Sequence, residues 1–303
     1  MTASAPAHPR RLVFLGTPEA AVTPLRALHQ AGFDIALVVS RADARRGRGP
    51  ELSPSPVKAT ALELGLPVTS RVDDVLATGA DLGVVVAFGR IIKPHVLDVV
   101  PMVNLHFSLL PRWRGAAPVE RALLAGDTRT GVCLMDVAEG LDTGGVRAES
   151  ELEIGPDETA DELRARLVEA GTSLLVHSLR AGLYPAVAQN GEPTYAEKIR
   201  PEELALDWSR PAVELHRLVR VGGAYTSFRG RRLKVWRTRL HDAEHPAAVS
   251  PAPPGRLAGP VVATPHGELE LVEVQPEGKG RMDARAWLRG LQPPPGPDEP
   301  LGS

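Results

Sequence analysis

Several sequence features that mark particular classes of protein are rare or absent in this chain. Its 303 residues include one cysteine, Cys133, so no disulfide can form within the chain, and no cluster of Cys and His has metal-ligand spacing. No apolar signal core precedes Arg11, and no run approaches the roughly eighteen apolar residues of a membrane span. These absences predict a soluble, cytoplasmic protein with no metal ion and no membrane partner.

The glycine fingerprint of dinucleotide-binding proteins is also missing. The turn after the first apolar run reads GTPEAA, from Gly16 to Ala21, and not G-x-G-x-x-G. A nicotinamide-dependent oxidoreductase would share the kind of sheet described below, but this turn disfavours it.

The net charge of −2 is divided unevenly along the chain. Residues 206–290 carry 14 Lys and Arg against 9 Asp and Glu, whereas residues 1–205 carry 21 against 26. The second part of the chain is therefore basic, and basic surfaces attract polyanions.

Apolar β-branched runs alternate with helical patterns in the first half of the chain. The runs occupy residues 11–16, 35–40, 83–88, 103–107 and 131–137. Apolar spacing over Glu158–Leu183 adds a long helix that Gly182 would end. Together they predict an α/β fold with a doubly wound, mostly parallel sheet.

The rest of the chain predicts a second, smaller domain. Ala212–Val221 is helical in pattern, and short strand-like runs separated by Pro and Gly turns follow it, as in a small OB-like β-barrel. The predicted limits are a flexible N-terminus (1–10), a first domain (11–184), a linker (185–205), a C-terminal β-barrel (206–290) and a disordered tail (291–303).

Residues suited to catalysis are concentrated in VNLHFSLLPRWRG, from Val103 to Gly115. Side chains alternate along a strand, so Asn104 and His106 point the same way at its carboxyl end, where two such donors could hold an oxyanion. The turn LDTGG could bring Asp142 to the imidazole as a proton acceptor. The alternatives are a hydrogen-bonded core histidine, an asparagine that caps a turn, and an ordinary Asp-Thr-Gly turn.

This string, with LDTG after it, resembles the signature of the folate-dependent formyltransferases, the enzymes that use 10-formyltetrahydrofolate. The resemblance implies direct attack of an amine on the formyl carbon, without an acyl-enzyme. His106 and Asn104 would stabilise the tetrahedral intermediate and Asp142 would assist proton transfer. The folate donor would be bound by Ser108, Leu109, Leu110 and Pro111. No nucleophile is required, so Cys133 is interpreted as a core residue.

Members of this family act on different amines, and three regions of the chain favour initiator methionyl-tRNA. The loop over residues 40–58 resembles the acceptor-stem loop of the tRNA-directed members, with Ser40-Arg41-Ala42-Asp43 where they have Gln-Pro-Asp-Arg. Such arginine-rich loops suit phosphate contacts, although a solvated loop would have the same composition. The predicted tRNA contacts here are Arg41, Arg45, Arg46, Arg48 and Lys58.

The second region, Leu215–His241, has eight basic residues and no acidic one. Surfaces that follow a nucleic-acid backbone have this composition, although Lys and Arg also protect the edge strands of sheets. Its predicted tRNA contacts are Arg229, Arg231, Arg232 and Lys234.

The third region is a set of motifs that resemble, in the same order, landmarks of the tRNA-directed members: TYAEKI (194–199), DWS (207–209), KVW (234–236) and QPEGKGRM (275–282). The predicted partners are methionyl-tRNA and the folate donor, for a monomeric protein. A formyltransferase for an amino sugar nucleotide stays open as an alternative, as does a noncatalytic RNA-binding protein, which the basic stretch alone would support.

Overall fold

The structure, a computed structural model, describes residues 3–45, 52–241, 252–294, 296 and 299–302. The chain forms two compact units. The first contains Met1–Pro118, Arg129–Glu153 and Arg164–Glu197, and the second contains Val119–Thr128, Ile154–Leu163 and Lys198–Ser303. The second unit thus includes two stretches from within the predicted first domain.

The secondary structure follows the predicted alternation in the first half and is mostly β in the second. The strands are β1 (Arg11–Gly16), β2 (Asp34–Val39), β3 (Ala44–Arg45), β4 (Leu52–Ser53), β5 (Val68–Thr69), β6 (Leu82–Val86), β7 (Met102–His106), β8 (Arg114–Gly115), β9 (Arg129–Asp136), β10 (Val146–Glu153), β11 (Tyr195–Ala196), β12 (Tyr225–Phe228), β13 (Arg231–His241), β14 (Leu257–Ala258), β15 (Val261–Ala263), β16 (Glu268–Pro276) and β17 (Met282–Asp283). The α-helices are α1 (Val22–Gln30), α2 (Pro56–Glu63), α3 (Pro94–Leu97), α4 (Pro118–Ala125), α5 (Ala160–Ala181), α6 (Ala212–Val221) and α7 (Ala284–Arg289). Short 3₁₀ helices span Glu19–Ala21, Val72–Ala77 and Pro201–Leu204.

A seven-stranded sheet, in the order β10-β9-β7-β6-β1-β2-β5, forms the centre of the first unit. Neighbouring strands from β5 to β7 run parallel, whereas β9 is antiparallel to both β7 and β10. Every residue of β6 is buried, as in a strand that is covered on both faces. The winding direction reverses at β1, so the predicted doubly wound, mostly parallel sheet is confirmed.

Two helices of the first half follow from local sequence signals. Ser55 caps α2 by accepting a hydrogen bond from the Lys58 backbone N–H at 3.0 Å, and Pro56 occupies the first helical position. The predicted long helix is α5, which ends before Gly182, whose φ of +107° suits glycine.

Antiparallel strands form the sheet of the second unit, in the order β12-β13-β16-β15-β14, with β17 beside β16. Register shifts around Arg237 in β13 mark bulges, which bend a strand. α6 spans the predicted residues, and its apolar side chains join Phe228 and Trp287 in one core, where these two rings meet edge to face at 5.3 Å. The predicted small C-terminal β domain is confirmed.

Described residues near both ends of the chain make specific contacts with the rest of their units. The Ala3 N–H donates to the carbonyl of Leu97 at 3.1 Å in the first unit. In the second unit, Leu301 is 3% exposed and its N–H donates to the carbonyl of Gly255 at 2.9 Å. The tail composition, rich in proline, gives no periodic signal, but a single leucine at its end reaches the core. Within the described ranges, no helix has the length and apolarity to cross a membrane.

Candidate active site

The strand β7 carries the first two predicted site residues at its carboxyl end. Asn104 and His106 are two positions apart and so lie on one face, with β6 on one side of the strand and β9 on the other. His106 is 5% exposed. The Asn104 side chain is partly exposed, and no described residue hydrogen bonds to it, so its amide is available to a ligand.

His106 is oriented by a backbone carbonyl. Its Nε2 lies 2.9 Å from the carbonyl oxygen of Trp113. A carbonyl can only accept, so Nε2 carries a proton and Nδ1 is the nitrogen left for proton exchange. Nδ1 faces the Asp142 carboxylate, with its Oδ2 at 3.5 Å.

Asp142 reaches the imidazole from the LDTGG turn, although it lies far from His106 in sequence. Its Oδ2 accepts a hydrogen bond from the Gly115 N–H at 2.8 Å, and its side chain is 13% exposed. Its φ of +50° is costly for a residue with a Cβ, and strained residues of this kind cluster at functional sites. The structure thus brings together the predicted trio of Asn104, His106 and Asp142.

The predicted folate residues form the turn that follows β7, and they differ in exposure. Ser108 is buried and donates to the Arg112 carbonyl at 2.6 Å. Leu110 is also buried, and it packs against Cys133 and Met135. Leu109 and Pro111 are partly exposed. The side chains of Ser108 and Leu110 therefore hold the turn, and the partly exposed side chain of Leu109 packs on one side over Gly131 of β9.

A loop that the sequence analysis did not single out follows the neighbouring parallel strand β6. Ala87 has a φ of +46°, and Ile91 is 84% exposed. Because β6 and β7 are adjacent and parallel, this loop starts at the same sheet edge as the predicted folate turn. The signal in the sequence was the pair Ile91-Ile92 after Gly89-Arg90, an apolar group outside any strand pattern.

Part of the predicted linker also belongs to the site. β11 pairs in parallel with β8, and the Ala196 carbonyl accepts the N–H of Ala116 at 2.9 Å. Gln189 and Thr194 hydrogen bond to residues of the site loops. The TYAEKI motif was the available signal, but its family resemblance gave no reason to place it at the trio.

The predicted arginine loop is partly described. β3 and β4 pair as a small hairpin, closed at its base by a 2.6 Å hydrogen bond between the Ser40 and Ser55 hydroxyls. Arg45 is exposed and Arg41 is partly exposed. Lys58 contacts both carboxylate oxygens of Asp43 at 2.9 Å. The predicted contacts Arg46 and Arg48 lie outside the described residues.

Cations and aromatic rings alternate on one part of the second unit. The Arg232 guanidinium lies 3.8 Å from the Tyr225 ring centroid, and the Trp236 ring has Arg281 at 3.4 Å and Lys234 at 5.6 Å. Arg231 is exposed. The aromatic rings and Arg281 were absent from the predicted contacts, which considered basic residues alone.

Arg229 differs from the other predicted basic contacts. Its Nε and Nη2 donate to Glu299 at 2.6 and 2.8 Å, and Nη2 also donates to the Pro293 carbonyl at 2.8 Å. The guanidinium therefore already holds the C-terminal tail, and Glu299 neutralises its charge. The tail carries too little regular pattern for the sequence to reveal this pairing.

Two observations concern a cysteine nucleophile and a bound metal ion. Burial raises the pKa of the Cys133 thiol to about 11, so the nucleophilic thiolate is scarce at neutral pH. Among the described residues, no group of three or more His, Cys, Asp or Glu side chains is placed to hold a metal ion.

Comparison with known proteins identifies the family of the chain. The formyl transferase family model matches residues 10–179, and the model of the formyl transferase C-terminal domain matches residues 198–292. A methionyl-tRNA formyltransferase of Symbiobacterium thermophilum is 44% identical over 92% of each chain, and one of Clavibacter michiganensis is 42% identical over 93% of this chain and 97% of that one.

Solved structures share the fold at lower identity. An N-formyltransferase of Helicobacter canadensis, solved with folinic acid and dTDP-3-aminofucose, has a TM-score of 0.67 and 17% identity, covering 86% of this chain and 98% of that one. HypX of Aquifex aeolicus, solved with tetrahydrofolic acid, has a TM-score of 0.64 and 15% identity, covering 93% of this chain and 47% of that one. The matches to the two family models and the identities above 40% show that this chain belongs to the formyl transferase family, among the methionyl-tRNA formyltransferases.

Proposed function

We propose that this chain transfers the formyl group of 10-formyltetrahydrofolate to the amino group of initiator methionyl-tRNA, in the cytoplasm and as a monomer. The observation that carries the proposal is the 44% identity, over 92% of each chain, with a methionyl-tRNA formyltransferase. The geometry at β7 supports it, because the trio fits an acyl transfer that needs no enzyme nucleophile.

The reaction forms a bond between the amine nitrogen and the formyl carbon and breaks the bond from that carbon to N10 of the folate. The tetrahedral intermediate carries a negative oxygen that requires hydrogen-bond donors. The Asn104 amide fits this task, because it lies at the carboxyl edge of the sheet without a protein partner among the described residues. One proton leaves the attacking amine, and one is added to the departing N10.

His106 and Asp142 are suited to handle the protons. With Nε2–H held by the Trp113 carbonyl, His106 exchanges a proton only at Nδ1, beside the Asp142 carboxylate. A proton taken up there makes the ring an imidazolium, whose positive charge next to Asn104 favours the negative oxygen of the intermediate. Asp142 balances the positive charge that the imidazole then carries.

The folate donor fits at the edge where β6 and β7 end. Ser108 and Leu110 fix the turn after β7, and Leu109 and Pro111 present apolar surface beside it. The exposed Ile91, in the loop after β6, adds apolar surface suited to a flat aromatic ring system. We assign folate binding to these two loops.

The tRNA is assigned to basic residues of both units. Arg41, Arg45, Arg46 and Arg48 would meet its phosphates in the first unit, as would Arg231, Arg232 and Lys234 in the second. Lys58 and Arg229 would first exchange their carboxylate partners, Asp43 and Glu299, for phosphate.

A formylation assay tests the activity. The purified chain, given 10-formyltetrahydrofolate, should formylate charged initiator tRNA and leave dTDP-amino sugars unchanged. His106→Ala and Asp142→Asn should each reduce kcat by at least about a hundredfold, while tRNA binding changes little. Turnover of the sugar alone would reject the tRNA substrate, and full activity in both variants would reject the catalytic assignment.

A second assay tests the tRNA surface. Arg232→Ala combined with Lys234→Ala should raise the KM for methionyl-tRNA and reduce its salt dependence by about one unit of log-log slope per lost contact, with the folate KM unchanged. Arg210→Ala is a matched control, since Arg210 pairs with Glu214 on α6 of the same unit. Equal effects in the variant and the control would show that Arg232 and Lys234 do not bind the tRNA.

A further inference from the structure

Residues Gln189–Ala196 hydrogen bond to both sides of the candidate catalytic trio. Sequence composition assigned them to a linker, but they belong to the first unit and carry β11. Two residues of this segment form hydrogen bonds to the site through their side chains. Gln189 bonds to the turn that contains Asp142, and Thr194 bonds to Trp113, which follows β7.

Gln189 uses all the hydrogen-bonding capacity of its amide group on residues of the site. Its Nε2 donates to the backbone carbonyls of Asp142 and Gly144, both at 2.8 Å. Its Oε1 accepts from Nε and Nη2 of Arg114, at 3.0 and 2.6 Å. Two hydrogen bonds thus hold the turn in which Asp142 has its costly positive φ, and Arg114 holds the glutamine amide in that orientation.

Thr194 is linked to His106 through Trp113. Its Oγ1 accepts a hydrogen bond from the backbone N–H of Trp113 at 2.9 Å. The carbonyl of Trp113 in turn accepts the Nε2 proton of His106. Trp113 has a φ of +64°, which is also costly. The Thr194 hydroxyl therefore fixes the residue whose carbonyl selects the histidine tautomer.

We propose that Gln189 and Thr194 are positioning residues for formyl transfer: Gln189 holds the Asp142 carboxylate in place, and Thr194 keeps His106 protonated at Nε2 with Nδ1 toward Asp142. Neither touches the reacting atoms in this assignment, so their loss lowers kcat and leaves substrate KM values nearly unchanged. A displacement of about 1 Å of a catalytic group can cost about a hundredfold in rate. The inference rests on the proposed formyl transfer.

Four variants in the full chain test the two positions. Gln189→Ala removes every hydrogen bond of the amide, whereas Gln189→Glu keeps the acceptor for Arg114 and loses both donors to the turn. Both should lower kcat by about tenfold to a hundredfold. Thr194→Val should do the same, and Thr194→Ser, which keeps the hydroxyl acceptor, should restore the rate to within about threefold of the parent.

Asn190→Ala is the matched control, because Asn190 is exposed and adjacent to Gln189. Thermal denaturation of each variant separates positioning from folding, since the rate is compared at a temperature where every variant is folded. Rates within twofold of the parent in folded Gln189→Ala and Thr194→Val would overturn the inference. A rise in KM with unchanged kcat would overturn it equally.

The histidine tautomer can be measured without any substrate, so the role of Thr194 can be tested even if the chain does not formylate methionyl-tRNA. Nitrogen-15 NMR of the histidine rings, with His106 assigned by its absence in His106→Gln, reports the tautomer directly. The parent and Thr194→Ser should show the proton on Nε2, and Thr194→Val should show exchange between the two nitrogens. An unchanged tautomer in Thr194→Val would refute the role of Thr194, whether or not the parent formylates methionyl-tRNA.

Discussion

A Cβ atom on Gly115 would lie 2.9 Å from the carbonyl oxygen of Ala196, closer than such atoms normally approach. Gly115 also has a φ of +121°, a conformation that other residues rarely adopt. The same residue donates its N–H to the Asp142 carboxylate at 2.8 Å. The close pairing of β8 with β11 and the hydrogen bond to Asp142 therefore both depend on the absence of a side chain here.

Gly115→Ala should consequently reduce formylation. The methyl group would push β8 away from β11 and displace the N–H that holds Asp142, at a cost of about 1–3 kcal/mol in backbone strain. We expect kcat to fall by at least tenfold. Gly296→Ala is the control, because a Cβ at Gly296 would meet nothing within 4 Å. Similar activity in the two variants would contradict the steric argument.

The thiol of Cys133 should be unreactive in the folded protein. Burial raises its pKa to about 11, so almost no thiolate is present at pH 8, and the side chain has no exposed surface. A thiol reagent such as 5,5′-dithiobis(2-nitrobenzoic acid) should label the native protein slowly and the unfolded protein rapidly, at one thiol per chain. Fast labelling of the native protein would show that Cys133 is accessible.

Glu203 should stabilise the second unit in a pH-dependent way. Hydrogen bonds from the Arg121 side chain, followed by the Arg200 backbone N–H, lower its pKa from 4.5 to about 2. The folded state therefore binds this proton less readily than the unfolded chain does. The stabilisation is complete above about pH 4.5 and is lost as the pH falls from there towards 2.

Glu203→Gln should accordingly be less stable than the parent at pH 7, and the difference should shrink as the pH falls below 4.5. Urea denaturation between pH 3 and pH 7 measures it. Glu202→Gln is the neighbouring control, because the Glu202 side chain is exposed. A difference that is constant with pH would show that the Glu203 charge is not its source.

The end of the chain should contribute to the stability of the second unit. Leu301 is 3% exposed and belongs to the core cluster that contains Trp208, Phe228 and Trp287. Leu301→Ala should lower the free energy of unfolding by about 2–5 kcal/mol, because it removes buried methyl groups and leaves a cavity. Leu62→Ala, at a leucine that is 58% exposed, should cost far less. Equal losses would mean that the tail does not pack in solution.

Composition and periodicity were sufficient for the elements that repeat a simple pattern. The apolar runs at β1, β6, β7 and β9 and the spacing in α5 follow from burial on a sheet or on one helix face. Composition and periodicity do not predict contacts that depend on single residues. Leu301 has no periodic neighbours, and the Pro and Gly content of residues 185–197 conceals the backbone pairing of β11 with β8.

The sequence by itself determined the doubly wound fold, the basic character of the second part, and the string from Asn104 to Asp142 that identifies the family. Only the tertiary structure decided which atoms of that string meet. The Trp113 carbonyl selects the His106 tautomer, and Gln189 holds the Asp142 turn. Trp113 is only seven residues from His106, but it is held by Thr194, 81 residues away, and Gln189 is 47 residues from Asp142. Trp113 and Asp142 also have backbone conformations that local preferences disfavour, so only the folded chain stabilises them.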